Sequence, residues 1–320
     1  MQLRVGRWVR GLTGLIRHGG LIGVHSSARV SVKGKFVFGK RVSIGRNSII
    51  QIPASARLCL GDGVHIGREV EVSPISEITI GNFTSVQDRC NFLGRIDIGA
   101  NCLFAPNVFM SSGTHEIREK PPWLIRDQDA LVGAPGSVAA QSRQRPIQVQ
   151  DDCWVGINVV VMRGVTIGKG SVVGANSVVT KSVDPYSIVA GAPARLISRR
   201  LEFKPPRAIA TDNPDHLPYF YSGFDLRQQA ISSSPAGYRA CGRFQLALDC
   251  ADAKRIELEV ACSEPVDLVY AQQQRRLTVG SQSVSFDLES MPGQSLVEMI
   301  ASDTRGRPCA VAVRSAGALK

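Results

Sequence analysis

The chain has 320 residues, of which 43% are hydrophobic, 20% charged and 6% aromatic, and its formal net charge is +11. No apolar run reaches about 18 residues and no basic motif is interleaved with aromatic residues, so we expect neither a transmembrane helix nor a nucleic-acid partner. The eight cysteines form no C-x-x-C pair and no cluster with metal-ligand spacing. They predict reduced thiols, a cytoplasmic location and no bound metal.

Residues 1–27 are the first predicted element, a short amphipathic helix that caps the next domain. Apolar and basic residues alternate there with helical spacing, and no small-residue cleavage site follows, so the segment is not a secretory signal. A second interpretation stays open, in which residues 1–20 bind peripherally to the inner membrane surface.

Residues 28–200 repeat with a period of six. The apolar positions of the repeat are Ile80, Val86, Phe92, Ile98, Phe104 and Met110, and later Val155, Val161, Ile167, Val173 and Val179. Six is not a helical period, and the segment is rich in glycine and β-branched residues. We therefore predict one short strand and one turn per hexad, with three hexads per triangular coil and parallel coils stacked roughly 4.8 Å apart. Phase slips between 50 and 60 and between 78 and 80 predict bulges or long corners.

The hexads stop after Met110, and they resume only near Ile147. The intervening segment contains His115 and an insertion over residues 116–146 that is too long for a turn. A long loop that projects from a regular scaffold is a typical place for function.

Two stretches resemble a known family. Residues 154–197, WVGINVVVMRGVTIGKGSVVGANSVVTKSVDPYSIVAGAPARLI, and residues 101–117, NCLFAPNVFMSSGTHEI, are similar to sugar O-acetyltransferases of the bacterial transferase hexapeptide family. The resemblance covers about residues 28–200. It implies a left-handed parallel β-helix, acetyl-CoA as the donor and a homotrimer with active sites at subunit junctions. The period alone does not determine the hand of the winding.

By the same resemblance, His115 is the catalytic base that takes the proton from an acceptor hydroxyl. An imidazole with a usual pKa of about 6.5 suits this role near neutral pH. The competing interpretation is an ordinary polar loop residue. An acidic partner is expected to orient the ring, and Asp88, Asp97 and Glu116 all remain candidates.

The resemblance also implies two sets of binding residues. Those predicted to contact acetyl-CoA are Trp154, Ile157, Ala175, Thr180, Lys181 and Arg195, and those predicted to contact the acceptor are Asn91, Asn107 and Trp123. Structural alternatives stay open for several of these residues: Trp154 as a corner-packing aromatic, Asn107 as a turn residue, and Thr180, Lys181 and Arg195 as a solvated basic edge.

The last third departs from the family. Residues 201–235 contain several prolines and are predicted to be a linker. Residues 236–320 alternate with period two and predict a small antiparallel β-sandwich-like domain. This appendage could bind an oligosaccharide, contact a glycosyltransferase, widen the trimer or serve only in packing.

The leading functional interpretation is an O-acetyltransferase that acts on a sugar hydroxyl of a cell-surface polysaccharide or its precursor. The alternatives are an N-acyltransferase of an amino-sugar nucleotide and a non-catalytic scaffold. A serine acetyltransferase is disfavoured because no long helical N-terminal domain is predicted. A β-helical carbonic anhydrase is excluded because only His65 and His115 fall inside the repeat.

Overall fold

A computed structural model describes residues 22–131, 145–225, 237–288 and 294–319. The chain divides into two compact units, residues 1–202 and residues 203–320. The predicted N-terminal helix lies outside the described residues. In the ranges that the structure describes, no helix has the length and apolar character needed to cross a bilayer.

The first unit is a prism of short strands. In chain order these are β1 (Ile22–Val24), β2 (Arg29–Val32), β3 (Lys35–Phe38), β4 (Val42–Ile44), β5 (Ile49–Ile52), β6 (Arg57–Leu60), β7 (His65–Ile66), β8 (Glu71–Ile80), β9 (Ser85–Val86), β10 (Asn91–Ile98), β11 (Leu103–Phe104), β12 (Phe109–Ser111), β13 (Ile147–Val149), β14 (Trp154–Val155), β15 (Val160–Val161), β16 (Thr166–Ile167), β17 (Val172–Val173), β18 (Val178–Val179), β19 (Ser187–Ala190) and β20 (Arg195–Arg199). The short helix α1 (Ile125–Leu131) lies in the insertion.

These strands form three walls of parallel strands. The first wall runs β1-β4-β7-β9-β11-β14-β17-β19, and β20 closes it in the antiparallel sense. The second runs β2-β5-β8-β10-β12-β15-β18, and the third is built from β3, β6, β8, β10, β13 and β16. The predicted stack of parallel coils is confirmed. The left-handed sense of the winding stays a prediction.

The two phase slips have different structural causes. At the first, residues 53–56 form an extra turn in which the N–H of Ala56 donates to the carbonyl of Pro53 at 3.0 Å. At the second, β8 continues around a corner and serves two walls, so Ile78 and Ile80 both point into the prism and are buried. The coil from Ile66 to Val86 therefore spans 20 residues, two more than the 18 of the next coil, from Val86 to Phe104.

The inward residues of successive coils stack into one core. Phe104 lies between Val86 and Val155 in the register of the first wall, and all three are at most 1% exposed. Each apolar hexad position therefore meets its equivalent one coil away, which is why a single residue class recurs every six positions.

The corners explain the glycines and asparagines. A Cβ added to Gly81 would lie 2.5 Å from the carbonyl carbon of Gly99 in the next coil, so the close approach of backbones requires glycine there. Asn107, Asn158 and Asn176 occupy the left-handed region with φ of 63°, 57° and 57°. Asn107 Nδ2 donates to Asn158 Oδ1 at 2.8 Å, and Asn158 Nδ2 donates to Asn176 Oδ1 at 2.9 Å. We call these three residues the asparagine ladder.

One corner buries a lysine. Lys169 is 2% exposed, and burial lowers its pKa from 10.5 to about 8, although the carboxylates of Asp151 and Asp152 oppose that shift. Between about pH 8 and 10.5 the unfolded chain binds more protons at this position than the folded chain does. This group alone therefore makes the free energy of unfolding rise with pH across that window, whereas buried thiols such as Cys90, whose pKa is raised to about 11, act in the opposite direction.

We expect this rise to be about 3 kcal/mol, because one pKa unit corresponds to about 1.4 kcal/mol. The free energy of unfolding relative to that of Lys169→Met should rise by this amount across the window, whereas relative to that of Lys33→Met, at an exposed position, it should stay constant. Denaturant unfolding followed by tryptophan fluorescence would measure it in the first unit, which contains all three tryptophans of the chain. An unchanged pH slope in Lys169→Met would contradict the prediction.

The second unit is antiparallel. Its elements are β21 (Ala208–Ala210), a 3-10 helix (Pro214–Tyr219), β22 (Phe220–Asp225), β23 (Tyr238–Asp249), β24 (Arg255–Cys262), β25 (Val266–Tyr270), β26 (Gln273–Leu277), β27 (Gly280–Asp287), β28 (Gln294–Ser302) and β29 (Ala310–Leu319). They form one sheet in the order β26-β25-β28-β23-β29-β24-β27, with β21 paired to β29 and β22 paired to β23.

Two features of this unit differ from the sequence-based picture. β21, the 3-10 helix and β22 fall in the range assigned to a linker, and their strands pair with the sheet. The edge strands β26 and β27 meet through side chains, since Gln273 Nε2 donates to the carbonyl of Asp287 at 2.7 Å and Arg275 Nε to that of Ser285 at 3.2 Å. The strands are antiparallel, as expected, and the sandwich-like packing stays a prediction.

Candidate active site

The loop that carries His115 starts from a fixed point on the second wall. Ser112, just after β12, is fully buried. Its Oγ accepts a hydrogen bond from the N–H of Arg95 at 2.6 Å, and its own N–H donates to the carbonyl of Leu93 at 3.1 Å. Gly94 has a φ of 100°, and a Cβ there would lie 2.2 Å from Ser112 Oγ. The missing side chain of Gly94 therefore makes room for the root of the loop.

His115 is held by Asp129 of α1. Asp129 Oδ2 lies 2.6 Å from His115 Nδ1, and Asp129 Oδ1 accepts the N–H of Glu116 at 2.7 Å. The hydrogen bond from Glu116, and then that from His115, keep the pKa of Asp129 below its usual value. The carboxylate is therefore charged at neutral pH, and this stabilisation is lost only as the pH falls through that lowered pKa.

The geometry assigns the tautomer of His115. A charged carboxylate accepts but does not donate, so Nδ1 carries the proton and Nε2 presents its lone pair. The side chain of His115 is 79% exposed. The ring is thus oriented on one side and open to a reactant on the other, which is the arrangement of a general base.

The sequence did not identify this acidic partner, and its three candidates are engaged elsewhere. Asp88 pairs with Arg68 at 2.6 Å, Asp97 accepts from the hydroxyl of Thr79, and Glu116 Oε1 accepts the N–H of Arg118 at 2.8 Å. Asp129 lies fourteen positions after His115 in a segment without periodicity. The only signal for it was its membership of the insertion, which it shares with Glu116, Glu119 and Asp127.

A second residue of α1 organises the same loop. Gln128 is 1% exposed, its Oε1 accepts the N–H of Lys120 at 3.1 Å, and its Nε2 donates to the carbonyl of Trp123 at 3.1 Å. Lys120 Nζ lies 4.2 Å from the centroid of the Trp123 ring, which is 46% exposed. Gln128 therefore fixes the turn that presents Trp123.

We expect Gln128→Leu to loosen this turn, because the mutation removes the partners of the Lys120 N–H and of the Trp123 carbonyl. Two bonds of about 0.5–1.5 kcal/mol each are lost, so amide exchange at Lys120 should accelerate about ten-fold. Arg126→Gln, at an exposed position of the same helix, is the matched control. Equal exchange rates in the two variants would show that Gln128 does not hold the turn.

The predicted donor-binding residues fall into two groups. Trp154 lies on the first wall, 54% exposed, between Leu103 and Val172 in the register of that wall. Ile157 and Ala175 lie one coil apart on the corner between the first and second walls. Their N–H groups make no hydrogen bond within the described part of the chain. These two N–H groups are therefore available to an external acceptor.

The second group lies near the C-terminal end of the prism. Lys181 and Arg195 line one hollow of about 300 Å³, together with Ser182, Asp184 and Ser187. Thr180 is exposed next to Lys181 but does not line the hollow. Two cationic side chains around one hollow suit a phosphorylated ligand.

The two predicted acceptor-site asparagines differ in availability. Asn91 lies on the second wall beside Phe109 in register, and its Nδ2 donates to the carbonyl of Arg89 at 3.3 Å. Asn107 belongs to the asparagine ladder, and its Oδ1 also accepts from Arg89 Nε at 2.8 Å. The amide of Asn107 is therefore engaged on both sides by the corner, and its contact with substrate stays a prediction.

Among the described residues, no group of three or more His, Cys, Asp or Glu side chains is arranged to hold a metal ion. The predicted site residues comprise one oriented imidazole, one projecting aromatic ring, a corner with free N–H groups and a basic hollow.

Comparison with known proteins places this arrangement in a family. The family model for bacterial transferase hexapeptide (six repeats) matches residues 146–181. The putative colanic acid biosynthesis acetyltransferase WcaF of Escherichia coli is 32% identical over 148 residues, which are 44% of this chain and 71% of that protein. The galactoside O-acetyltransferase of the same organism is 31% identical over 155 residues, 48% of this chain and 62% of that protein.

A putative acetyltransferase of Schizosaccharomyces pombe is 38% identical over 116 residues, 36% of this chain and 48% of that protein. The chain thus spans about half to two thirds of the length of the first curated relatives that it matches. The match to the colanic acid enzyme extends over more than two thirds of that protein and agrees with the stacked parallel coils described above. The chain belongs to the hexapeptide-repeat acetyltransferase family.

Proposed function

We propose that this protein is an acetyl-CoA-dependent O-acetyltransferase that acts on a sugar hydroxyl, in a cell-surface polysaccharide or its precursor. One observation carries the proposal: the exposed ring of His115 has its Nδ1 bound to the charged Asp129, on a loop that projects from a hexapeptide-repeat prism. The names of the galactoside and colanic acid relatives support a sugar acceptor.

The chain's own residues account for the proton transfers. His115 Nε2 accepts the proton of the acceptor hydroxyl, and Asp129 stabilises the imidazolium that forms. The same nitrogen then returns the proton to the leaving thiolate. Acetyl-CoA supplies the acetyl group as an activated thioester, so no covalent intermediate with a protein side chain is needed. Trp123 offers a flat apolar surface on which a sugar ring can stack.

The corner and the basic hollow fit the donor. A pantetheine arm has amide carbonyls that need donors, and the N–H groups of Ile157 and Ala175 have no other partner in the described residues. Exposed apolar surface lies beside them on Trp154 and Ile157. The cations of Lys181 and Arg195 match the phosphates at the nucleotide end.

The proposal includes a homotrimer and a left-handed winding of the prism. Large apolar side chains are exposed on two adjacent walls, including Leu103 at 55% and Phe109 at 39%, and a second copy of the chain would cover them. Light scattering on the purified full chain tests the trimer. The same proposal includes a cytoplasmic location. It also includes membrane contact through residues 1–20, which lie outside the described residues.

The decisive experiment incubates the 320-residue chain with radiolabelled acetyl-CoA and a panel of neutral and amino-sugar acceptors. We expect thiol release that depends on acceptor, and a labelled product that mild alkali hydrolyses, as an ester does. Alkali-stable label would indicate N-acylation instead. No turnover with any acceptor, together with no thermal shift on addition of coenzyme A, would indicate a non-catalytic scaffold.

A further inference from the structure

The outer face of the second unit contains a wide recess. It crosses four neighbouring strands in the order β21-β29-β24-β27 and encloses about 660 Å³. We call it the serine groove, after its polar lining of His216, Glu257, Glu259, Ser281, Ser283 and Ser315. A volume of this size is in the range of ligand sites.

The recess follows from the sequence of the strands. Glu259 is paired in register with Ser283 on one side and Ser315 on the other, and Glu257 is paired with Gly317. Leu258 and Val260 alternate with these residues and point into the core, where both are buried. Small outward residues therefore flank two long carboxylates, which produces a trough with a polar floor.

The carboxylates retain acceptor capacity. Glu257 Oε1 accepts from Ser283 Oγ at 2.7 Å, and Glu259 Oε1 lies 3.5 Å from Arg314 Nη1. The other oxygen of each carboxylate has no partner among the described residues. Each exposed carboxylate can therefore accept further hydrogen bonds from a bound molecule.

One side of the groove offers a donor. His216 Nδ1 accepts the backbone N–H of Ala210 at 3.0 Å, so the neutral ring carries its proton on Nε2. Asn213 Nδ2 lies 3.3 Å from that nitrogen and is itself a donor, so it does not satisfy the Nε2–H group. An acceptor on a ligand would bind there by displacing the Asn213 amide.

We propose that the serine groove binds an uncharged oligosaccharide. Sugar hydroxyls both donate and accept, so they match carboxylates, serine hydroxyls and an imidazole N–H arranged across one surface. The two carboxylates repel an acidic polymer. A cationic peptide is the competing ligand class, but residues 203–320 contain 13 basic and 13 acidic residues, so no net charge of this unit draws such a peptide to the groove. The inference goes beyond the proposed function, because binding in this groove needs neither His115 nor a thioester.

The test measures binding of neutral galactose- and glucose-containing oligosaccharides to the full chain by saturation-transfer NMR and calorimetry. A double variant, Glu257→Gln with Glu259→Gln, should weaken binding about ten-fold or more, since bonds to charged acceptors are lost. Gly317→Leu should fill the trough: an added Cβ there lies 3.5 Å from Ala208 Cβ, an ordinary contact, so the fold should tolerate it. Glu298→Gln, on β28 of the same sheet, is the matched control.

Acetyl transfer by the two groove variants is measured in parallel, and turnover that stays normal while oligosaccharide binding is lost separates this proposal from the assignment of the catalytic base. Circular dichroism confirms that each variant is folded. The two groove variants disturb binding by different means, so if one of them does not fold, the other still tests the proposal. Unchanged binding in a folded groove variant overturns the proposal. So does preference for an oligolysine peptide over every neutral sugar, or the absence of binding to any of them.

Discussion

Replacing His115 with alanine is expected to lower kcat for acetyl transfer by about 10²- to 10⁴-fold, with little change in the KM for acetyl-CoA. General bases contribute rate enhancements of that size. In the proposed site the donor is held by the corner around Ile157 and by the basic hollow, which do not involve the imidazole. The loss should therefore fall on the chemical step.

The matched control is His65→Ala. His65 is the other histidine of the repeat identified from the sequence, is exposed on the first wall, and is bonded through Nδ1 to Ser43 Oγ at 2.8 Å. It should retain normal turnover. If His115→Ala were as active as His65→Ala in the same assay, another group would be the base.

The prism could be predicted because its environment repeats. Every coil places the same kind of position against the same kind of neighbour, so Ile80, Phe104 and Val155 obey one rule although they are far apart in sequence. The corners follow the same logic, since close backbone approach selects glycine and the left-handed region favours asparagine. The six-residue period therefore indicates both where each strand lies and which of its side chains point into the core.

The insertion could not be predicted in this way. Its contacts join Asp129 to His115 and Gln128 to Lys120, across distances that no period relates. In the second unit, the alternation of apolar and polar residues predicted antiparallel strands. β21 and β22 were missed because the nearby prolines are typical of linkers. Local pattern specifies local geometry, whereas side-chain contacts between irregular segments need the folded chain.

Asp129→Asn is expected to lower kcat by about 10²-fold or more, for a reason that depends on hydrogen-bond polarity. The carboxylate of Asp129 accepts two bonds, one from the N–H of Glu116 and one from His115 Nδ1. An asparagine offers one acceptor and one donor. The backbone N–H of Glu116 can only donate, so it takes the amide oxygen and leaves the NH₂ group facing the imidazole.

The ring must then accept at Nδ1 and carry its proton on Nε2, which removes the lone pair that the acceptor hydroxyl needs. In a serine protease, the same exchange of a buried aspartate for asparagine costs about 10⁴-fold in kcat through the wrong tautomer. Asp129 is more exposed than that buried aspartate. The His115 ring can therefore leave the asparagine side chain part of the time, and the expected loss of kcat is smaller.

Two measurements separate this effect from simple loosening of the loop. Nitrogen NMR of the histidine side chains should show His115 changing from the Nδ1–H to the Nε2–H tautomer in Asp129→Asn. Asp127→Asn, at an exposed position two residues earlier on α1, should change neither kcat nor the tautomer. A variant at Asp129 that loses activity while keeping the Nδ1–H tautomer would refute the polarity argument, because the proton would still lie on the side away from the acceptor.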